Sequence, residues 1–541
     1  MHPANHAQTT PDRAAFVMAD SGEIVTYRQL DERSNQGAHL FRALGLKSRD
    51  VVAILLENHP RYLEVAWAAQ RAGLYYTCIS AKLNAVEIEY ILTDCGARAL
   101  VTSSAMEEVL DELANRFSGL SLFIVGEGRA RFRSYETERA GFPATPIGDQ
   151  TAGSDMLYTS GTTGRPKGVK PAPIGGAFDG EIRLETVCRN LFGFEAGCVY
   201  LCPAPLYHSA PLRLCMSVQR LGGTVVVMER FDAEAALALI EKHRIDCAQF
   251  VPTHLIRMLK LPADTRGRYE VSSLKSVIHA SAPCPVPVKE AMIAWWGPVI
   301  NEYYSGTEGN GMCYISTQDW LSHKGSVGKA VVGVLHICDD AGDPLPVRTE
   351  GLVYFEGGSP ISYHNDPQKT SDIHNKHGWM TLGDVGWVDE EGYLYLTDRR
   401  SFMIISGGVN IYPQEIENLL VGHPKIADVA IVGAPHEEMG EQVVAVVQPA
   451  PGVAAGPELA DELLAFARAN LSHVKVPRRV DFMEELPRQP SGKLFKRVIR
   501  DAYWAQRPIE ACSAAAMGSA PPPDKLCEEH AQSRIAPIGE K

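Results

Sequence analysis

No run of apolar residues in this 541-residue chain approaches the roughly 18 that a membrane-crossing helix needs. Positive charge is in deficit. The chain has 52 Lys and Arg against 65 Asp and Glu, a net charge of −13. That balance argues against nucleic acid or an anionic membrane as a general partner, and any polyanionic ligand must be held by local basic sites. The twelve cysteines show no paired spacing. Cys198 and Cys202 form a lone C-x3-C with no His or Cys cluster beside them, which reads as buried small residues rather than zinc ligands. The pattern suits a reducing, cytoplasmic setting. No signal-peptide pattern opens the chain, and Gly539-Glu540-Lys541 is neither a peroxisomal tripeptide nor a prenylation box. Internal repeats are absent.

What is present suits a large globular protein. Hydrophobic residues make up 45% of the chain, and at about 150 residues per domain the length implies three or four units. Residues 30–44 carry apolar positions at helical spacing, 51–56 read as a buried strand and 62–72 as a helix. The alternation returns as a strand at 224–228, a helix at 233–243 and a strand at 248–251. Strands alternating with helices indicate an α/β fold with parallel sheets covered on both faces. A turn-rich hairpin spans 386–395. Beyond it lies a smaller α+β unit, with strands near 427–431 and 443–447 and a helix near 459–471. The Ala-, Pro-, Glu- and Ser-rich stretch from about residue 507 is expected to be disordered.

The segment Tyr158-Thr159-Ser160-Gly161-Thr162-Thr163-Gly164-Arg165-Pro166-Lys167-Gly168-Val169 has no core-like period. Glycines allow close backbone approach, exposed N–H groups form an anion nest, hydroxyls add donors and Lys167 adds charge. Together they suit phosphate. The loop is not a Walker A sequence, because Pro166 stands where that pattern needs glycine and Gly168 follows the lysine.

Thr159 to Val169 closely resembles the phosphate loop of the adenylate-forming superfamily. Further segments resemble that family in its own order: Pro203-Ala204-Pro205-Leu206-Tyr207-His208, Glu302-Tyr303-Tyr304-Ser305-Gly306-Thr307-Glu308, Thr381-Leu382-Gly383-Asp384-Val385-Gly386, residues 395–417, and Pro490-Ser491-Gly492-Lys493. The resemblance covers roughly residues 8–505. It implies a large N-terminal domain of α/β sheet layers with a β-barrel-like subdomain over 1–397, a hinge at 398–402 and a small mobile α+β domain over 403–505. The disordered tail then covers 506–541. The hinge departs from the family, which has Lys or Asp followed by Asp where this chain has Ser401-Phe402.

The resemblance also implies a reaction in two halves. A carboxylate attacks the α-phosphorus of ATP to give an acyl-adenylate and pyrophosphate, and a thiol, here that of coenzyme A, then displaces AMP. Thr159, Ser160, Gly161, Thr162, Thr163, Gly164 and Lys167 match the cradle for the β- and γ-phosphates. Thr307 matches the α-phosphate ligand, Glu308 the Mg²⁺ ligand, Tyr304 the aromatic on adenine, Asp384 the ribose acceptor and Arg399 its basic neighbour. Ala282 and Pro283, in the segment 279–284, border the adenine and acyl pockets. Lys493 matches the lysine that bridges carboxylate and α-phosphate, and Gly407 and Gly408 the segment that meets the thiol. Glu415 and Glu417 open the next helix and read as structural.

His208 stands where amino-acid-activating relatives carry an Asp for the substrate ammonium, so the resemblance disfavours amino acids, because an unpaired buried ammonium is costly. With Tyr207, Tyr303, and the small Ser305 and Gly306, it implies an open pocket for a hydrophobic monocarboxylate, either an aryl acid of the hydroxycinnamate type or a medium- to long-chain fatty acid. Polycyclic acids stay open. The expected enzyme is an AMP-forming acid–CoA ligase, a monomer or homodimer, with no nucleic acid partner and no integral membrane association. The rivals are a stand-alone enzyme loading a carrier protein, a luciferase-like oxygenase, and a non-catalytic nucleotide-binding regulator.

Overall fold

The computed structural model describes residues 1–159, 166–172, 176–488 and 494–505. The chain divides into two compact units, Met1–Phe402 and a second beginning at Met403. In the first, a nine-stranded sheet runs in the order Lys329–Val332, Met312–Ile315, Ile300–Ser305, Ser276–His279, Cys247–Phe250, Val199–Cys202, Thr224–Val227, Ala14–Met18, Ile24–Thr26. Its central strands, from Ile300–Ser305 to Ala14–Met18, pair in parallel. The strand Thr224–Val227 is apolar where both faces are covered: Val225, Val226 and Val227 have no exposed surface. From Val199–Cys202 the chain moves next to Thr224–Val227, towards one edge. From Cys247–Phe250 it moves to Ser276–His279, towards the other. These two neighbouring strands are therefore the topological switch point, where the carboxyl ends of parallel strands leave a crevice.

A second sheet has six strands, all parallel: Arg133–Ser134, Ser121–Ile124, Ala97–Thr102, Val51–Leu55, Tyr75–Cys78 and Ser154–Asp155. One apolar cluster takes Tyr200, Val225 and Val227 from the first sheet and Val52, Ile54 and Val101 from the second, with the helices Tyr27–Ala43, Arg61–Arg71 and Ser209–Arg220 between them. The first helix begins a turn earlier than its apolar period, because Thr26 caps it and Gln29 returns the bond, two reciprocal contacts that close the free N–H groups. A Cβ at Gly37 would stand 2.7 Å from the Ala68 Cβ, so glycine is what lets the first two helices touch.

Arg61–Arg71 lies wholly inside, charged residues included. Glu64, with no exposed surface, answers three arginines: Arg33 at 2.8 Å, Arg61 at 3.0 Å and Arg139 at 3.4 Å. Two antiparallel sheets complete the unit. One has four strands, Val334–Cys338, Gly351–Glu356, Met380–Val388 and Leu394–Arg399. The other has three, Ile361–Tyr363, Lys167–Pro171 and Leu157–Thr159.

The second unit is a five-stranded sheet: Val409–Ile411, Ile404–Ser406, Gly440–Pro449 and Ile426–His436, with Arg479–Phe482 parallel to Gly440–Pro449. The two long strands exceed the apolar runs that mark them in sequence, because their ends continue as a hairpin through Pro435↔Glu441 and His436↔Gly440. The helices Pro413–Leu420, Pro457–Asn470 and Lys496–Trp504 pack on it.

Removing one partner of a buried ion pair strands the other charge, at about 3–5 kcal/mol. Glu64→Ala is expected to destabilise the first unit by that amount, read as a lowered denaturation midpoint. A loss below about 1 kcal/mol would mean that water already reaches these arginines.

Candidate active site

Three groups of residues gather where the parallel strands end. The first begins at the glycine-rich loop. Thr159 and Lys167 face each other across an antiparallel pair, so the loop joins the two strands of a hairpin. Ser160, Gly161, Thr162, Thr163 and Gly164 lie outside the described residues. The Lys167 ammonium stands 4.9 Å from the centre of the Tyr363 ring, a cation–π distance. Tyr363 in turn donates to Glu308 Oε1 at 2.9 Å. Burial and the Lys369 ammonium pull Lys167 below the usual lysine range, against the opposing pull of Glu308, Asp366 and Asp372. Lys369 is itself paired with Asp366.

The second group centres on Asp384, which is 8% exposed. Tyr304, on strand Ile300–Ser305, donates to its Oδ2 at 2.6 Å. Arg399, its register partner on the adjacent strand, donates from Nε to Oδ1 at 3.0 Å. Each carboxylate oxygen is thus oriented by a charged or hydroxyl donor from a different strand. The Tyr304 ring also packs towards Phe355, 6.2 Å between centres.

The third group surrounds the segment 305–311, which leaves strand Ile300–Ser305 through a turn at Thr307 and Glu308. Thr307 Oγ1 lies 3.0 Å from Ser209 Oγ, and its carbonyl accepts from Arg213 at 3.3 Å. Arg213 is held by Asp155 through two bonds, at 2.8 and 3.1 Å. Ser209 opens the helix whose N-cap is His208, and the Tyr207 and His208 rings meet edge-on at 4.4 Å. The Ser305 hydroxyl donates to the Gly311 carbonyl at 2.7 Å. A Cβ at Gly306 would overlap Leu382 Cδ1 and come within 3.0 Å of Glu308 Oε2. That side of Gly306 is filled, so its glycine serves close packing and does not open a pocket there.

Tyr303 points to the switch point. Its hydroxyl accepts from Gln249 Nε2 at 3.0 Å, and its ring packs on Phe192 at 5.4 Å. Ala282 and Pro283 are exposed, just past strand Ser276–His279 and next to Ser281, whose φ is +76°. In the second unit Gly407 (φ +56°) and Gly408 (φ +78°) form the two-residue turn between Ile404–Ser406 and Val409–Ile411. Both angles fit the tight hairpin turn that favours glycine. Glu415 lies in the first turn of its helix. Glu417 accepts from the Ile431 N–H at 2.8 Å and pairs with Lys496 at 2.7 Å. Lys493 lies outside the described residues.

Sequence reading missed Tyr363, Gln249, Ser209 and the Arg213–Asp155 pair. It also missed a buried trio under the strands. Lys289 Nζ lies 2.7 Å from Glu302 Oε2, and His279 Nε2 lies 3.3 Å from the same oxygen. Burial raises the Glu302 carboxyl, with Lys289 opposing. Burial and the Lys289 charge hold His279 well below its usual value, and so neutral. A Lys-Glu pair inside the otherwise apolar helix Val286–Trp296 was the available signal.

The profile of the family described as AMP-binding enzyme matches residues 4–361, and that of the AMP-binding enzyme C-terminal domain matches residues 415–493. A fatty acid–[acyl-carrier-protein] ligase, ScoC, of Streptomyces coeruleorubidus is 31% identical over 505 residues, covering 92% of this chain and 95% of that protein. A feruloyl-CoA synthase of an Amycolatopsis species is also 31% identical over 505 residues, covering 93% and 98%. The solved structure of o-succinylbenzoate CoA synthetase (MenE) from Bacillus subtilis, in complex with the acyl-adenylate intermediate OSB-AMP, superposes with a TM-score of 0.78. It is 26% identical and covers 92% of this chain and 98% of that one.

The tight seat of Gly306 gives a sharp expectation. Gly306→Ala should lower stability by about 1–3 kcal/mol through overpacking. Adding Leu382→Ala to it should cost less than the two single changes sum to, a coupling readable in a double-mutant cycle of denaturation midpoints. Strict additivity would show that Leu382 is not the obstacle.

Proposed function

The chain belongs to the AMP-binding enzyme family, and from that premise we propose that it is an AMP-forming acid–CoA ligase. The carboxylate of the acid attacks the α-phosphorus of ATP, forming the mixed anhydride and expelling pyrophosphate. The thiol of coenzyme A then attacks the acyl carbon, a C–S bond replaces the C–O bond to AMP, and the thiol proton is lost. The observation that carries this reading is the convergence of Lys167, Tyr363 and Glu308 with Tyr304, Asp384, Arg399 and Thr307 in one unit.

In this reading Thr159, Ser160, Gly161, Thr162, Thr163, Gly164 and Lys167 take the β- and γ-phosphates, and Thr307 donates to the α-phosphate. Preorganised donors aimed at developing charge are the chief source of rate in such transfers. Asp384, its oxygens oriented by Tyr304 and Arg399, accepts from a ribose diol, and the Tyr304 ring lies against adenine with Ala282 and Pro283. Glu308 fits Mg²⁺, a hard cation that takes one or two carboxylates beside substrate phosphates. When bound, that ion neutralises charge on the triphosphate. Lys493 brings a point charge to the attacking carboxylate, and Gly407 and Gly408 meet the thiol after a rotation at residues 398–402.

The acid is a hydrophobic monocarboxylate held by Tyr207, His208, Tyr303 and Ser305, beside the tightly packed Gly306. Phe192 behind Tyr303 and the Tyr207–His208 edge contact supply its apolar wall. Relatives named for ferulate and for fatty acids are equally similar, which keeps aryl and alkyl acids together in this reading. Among the described residues no helix is long and apolar enough to cross a membrane. A cytoplasmic monomer or homodimer is the expected form, and the described cysteines are all free thiols. A carrier-protein thiol as acceptor is the second reading, favoured by the likeness to the fatty acid–[acyl-carrier-protein] ligase.

Pyrophosphate release with ATP, Mg²⁺ and coenzyme A over a panel of benzoate, cinnamates, fatty acids, a bile acid and amino acids tests the reading, with thioester checked by mass. One acid class should give acyl-CoA. Pyrophosphate without thioester would transfer the conclusion to a carrier acceptor. In the same assay Lys493→Ala should abolish adenylate formation yet leave thioester formation from supplied acyl-adenylate largely intact. Equal loss in both halves would refute its role.

A further inference from the structure

The switch point has a second end. At the amino ends of the same two strands, Cys198, Asp246 and Cys247 each bring one ligand atom to within 4.8 Å of the others. Cys198 immediately precedes Val199–Cys202, and Cys247 opens Cys247–Phe250. Both thiols are buried, at 2% and 1% exposure, while Asp246 is half-buried and gives the cluster an opening to water.

Strand register decides what such a pair can do. Tyr200 is the partner of Cys247, so Cys198 is displaced by two residues along the strand. An offset of two keeps both side chains on one face of the sheet. It also separates the Cα atoms by about 6.6 Å along the strand and about 4.8 Å across, roughly 8 Å in all. A disulfide does not close beyond about 7 Å without backbone movement. An ion needs no such approach. Sulfur ligands at about 2.3 Å from a tetrahedral centre lie roughly 3.8 Å apart, within the size of this cage.

Asp246 is placed for the third position. Its Oδ1 accepts from the Val199 N–H at 3.0 Å, and its carboxylate also pairs with the Cys247 thiol. The nearby Lys275 ammonium is held by Glu195 at 2.9 Å instead of occupying the aspartate. The C-x3-C spacing of Cys198 and Cys202 is therefore not the ligand pattern, since Cys202 turns its thiol to the Ala204 carbonyl.

We propose that Cys198, Cys247 and Asp246 form a site for a thiophilic cation of the Zn²⁺ class, clamping the starts of the two switch-point strands. Two thiolates and a carboxylate suit a borderline-soft ion and exclude Mg²⁺. Binding exchanges the two thiol protons for the ion and moves no electrons, and the carboxylate enters already ionised. The site is independent of the adenylation reading.

The test is a Co²⁺ titration of the reduced, chelator-treated full chain. A thiolate-to-cobalt charge-transfer absorption should saturate at one ion per chain, vanish on adding Zn²⁺, and accompany release of two protons. Cys198→Ser and Cys247→Ser should each abolish it, Asp246→Asn should weaken cobalt binding about tenfold or more, and Cys202→Ser should leave it unchanged. No absorption in the unaltered chain, its survival in Cys247→Ser, or its loss in Cys202→Ser would overturn the proposal. Should a serine variant fail to fold, Asp246→Asn decides alone, an unchanged cobalt Kd refuting the site.

Discussion

The candidate site depends on one steric constraint, the absence of room around the backbone between Ser305 and Gly311. A Cβ at Gly311 would overlap the Phe355 ring, one at Gly358 would overlap the Asn310 carbonyl, and one at Gly306 would overlap Leu382. Gly309 also needs φ of +66°. The segment therefore runs pressed between the nine-stranded and four-stranded sheets with only backbone thickness to spare. Close packing of this kind transmits displacement, because interiors as dense as crystals do not deform continuously. Tyr304, Thr307 and Glu308 hang on that segment. Their distances to Asp384, Ser209 and Tyr363 follow from it, more than from the strength of any one hydrogen bond.

Charge is arranged by the same economy of space. The chain has a net charge of −13, and the cations gathered at this site are each fixed by a partner. Lys167 lies over a ring face, and Arg399 and Arg213 each answer one aspartate. Beneath them Glu302, Lys289 and His279 form a buried set in which the histidine is neutral and the remaining pair is balanced. Such a pair adds little net stability over apolar residues of the same volume, yet losing either member is expensive. Glu302 stands opposite His279 on the adjacent strand, with Lys289 on the helix Val286–Trp296, so the expense falls on the strand ends which carry Ala280 to Pro283 and Tyr303 to Ser305.

Much of this was legible in sequence, for reasons that particular residues make plain. The helix Ala233–His243 and the buried strand at Val51–Leu55 matched their apolar periods, since both present ordinary faces to one core. Family-like motifs brought Tyr304, Asp384 and Arg399 onto one list, and the fold brings them into one network. Other features carry no local sign. Tyr363 sits in a three-residue strand, and only pairing with Lys167–Pro171 brings it to Glu308. Gln249 reads as part of an apolar run until Tyr303 is found opposite its amide. Gly306 looks like an open wall when counted by size, and is a packing necessity when its neighbours are known.

The cysteines carry the same lesson further. Spacing along the chain singles out Cys198 and Cys202, four residues apart, whereas parallel pairing across a crossover of some 49 positions joins Cys198 to Cys247. Strands of four residues are only about 13 Å long. The proposed cation site lies at the amino ends of two very short neighbouring strands, beside half-buried Asp246, and Gln249 lies two residues further along the second, towards the crevice. An ion fixing the amino ends would restrict sliding of these strands past each other. The register of Val199–Cys202 against Cys247–Phe250 would then be held from the amino ends, two residues before Gln249.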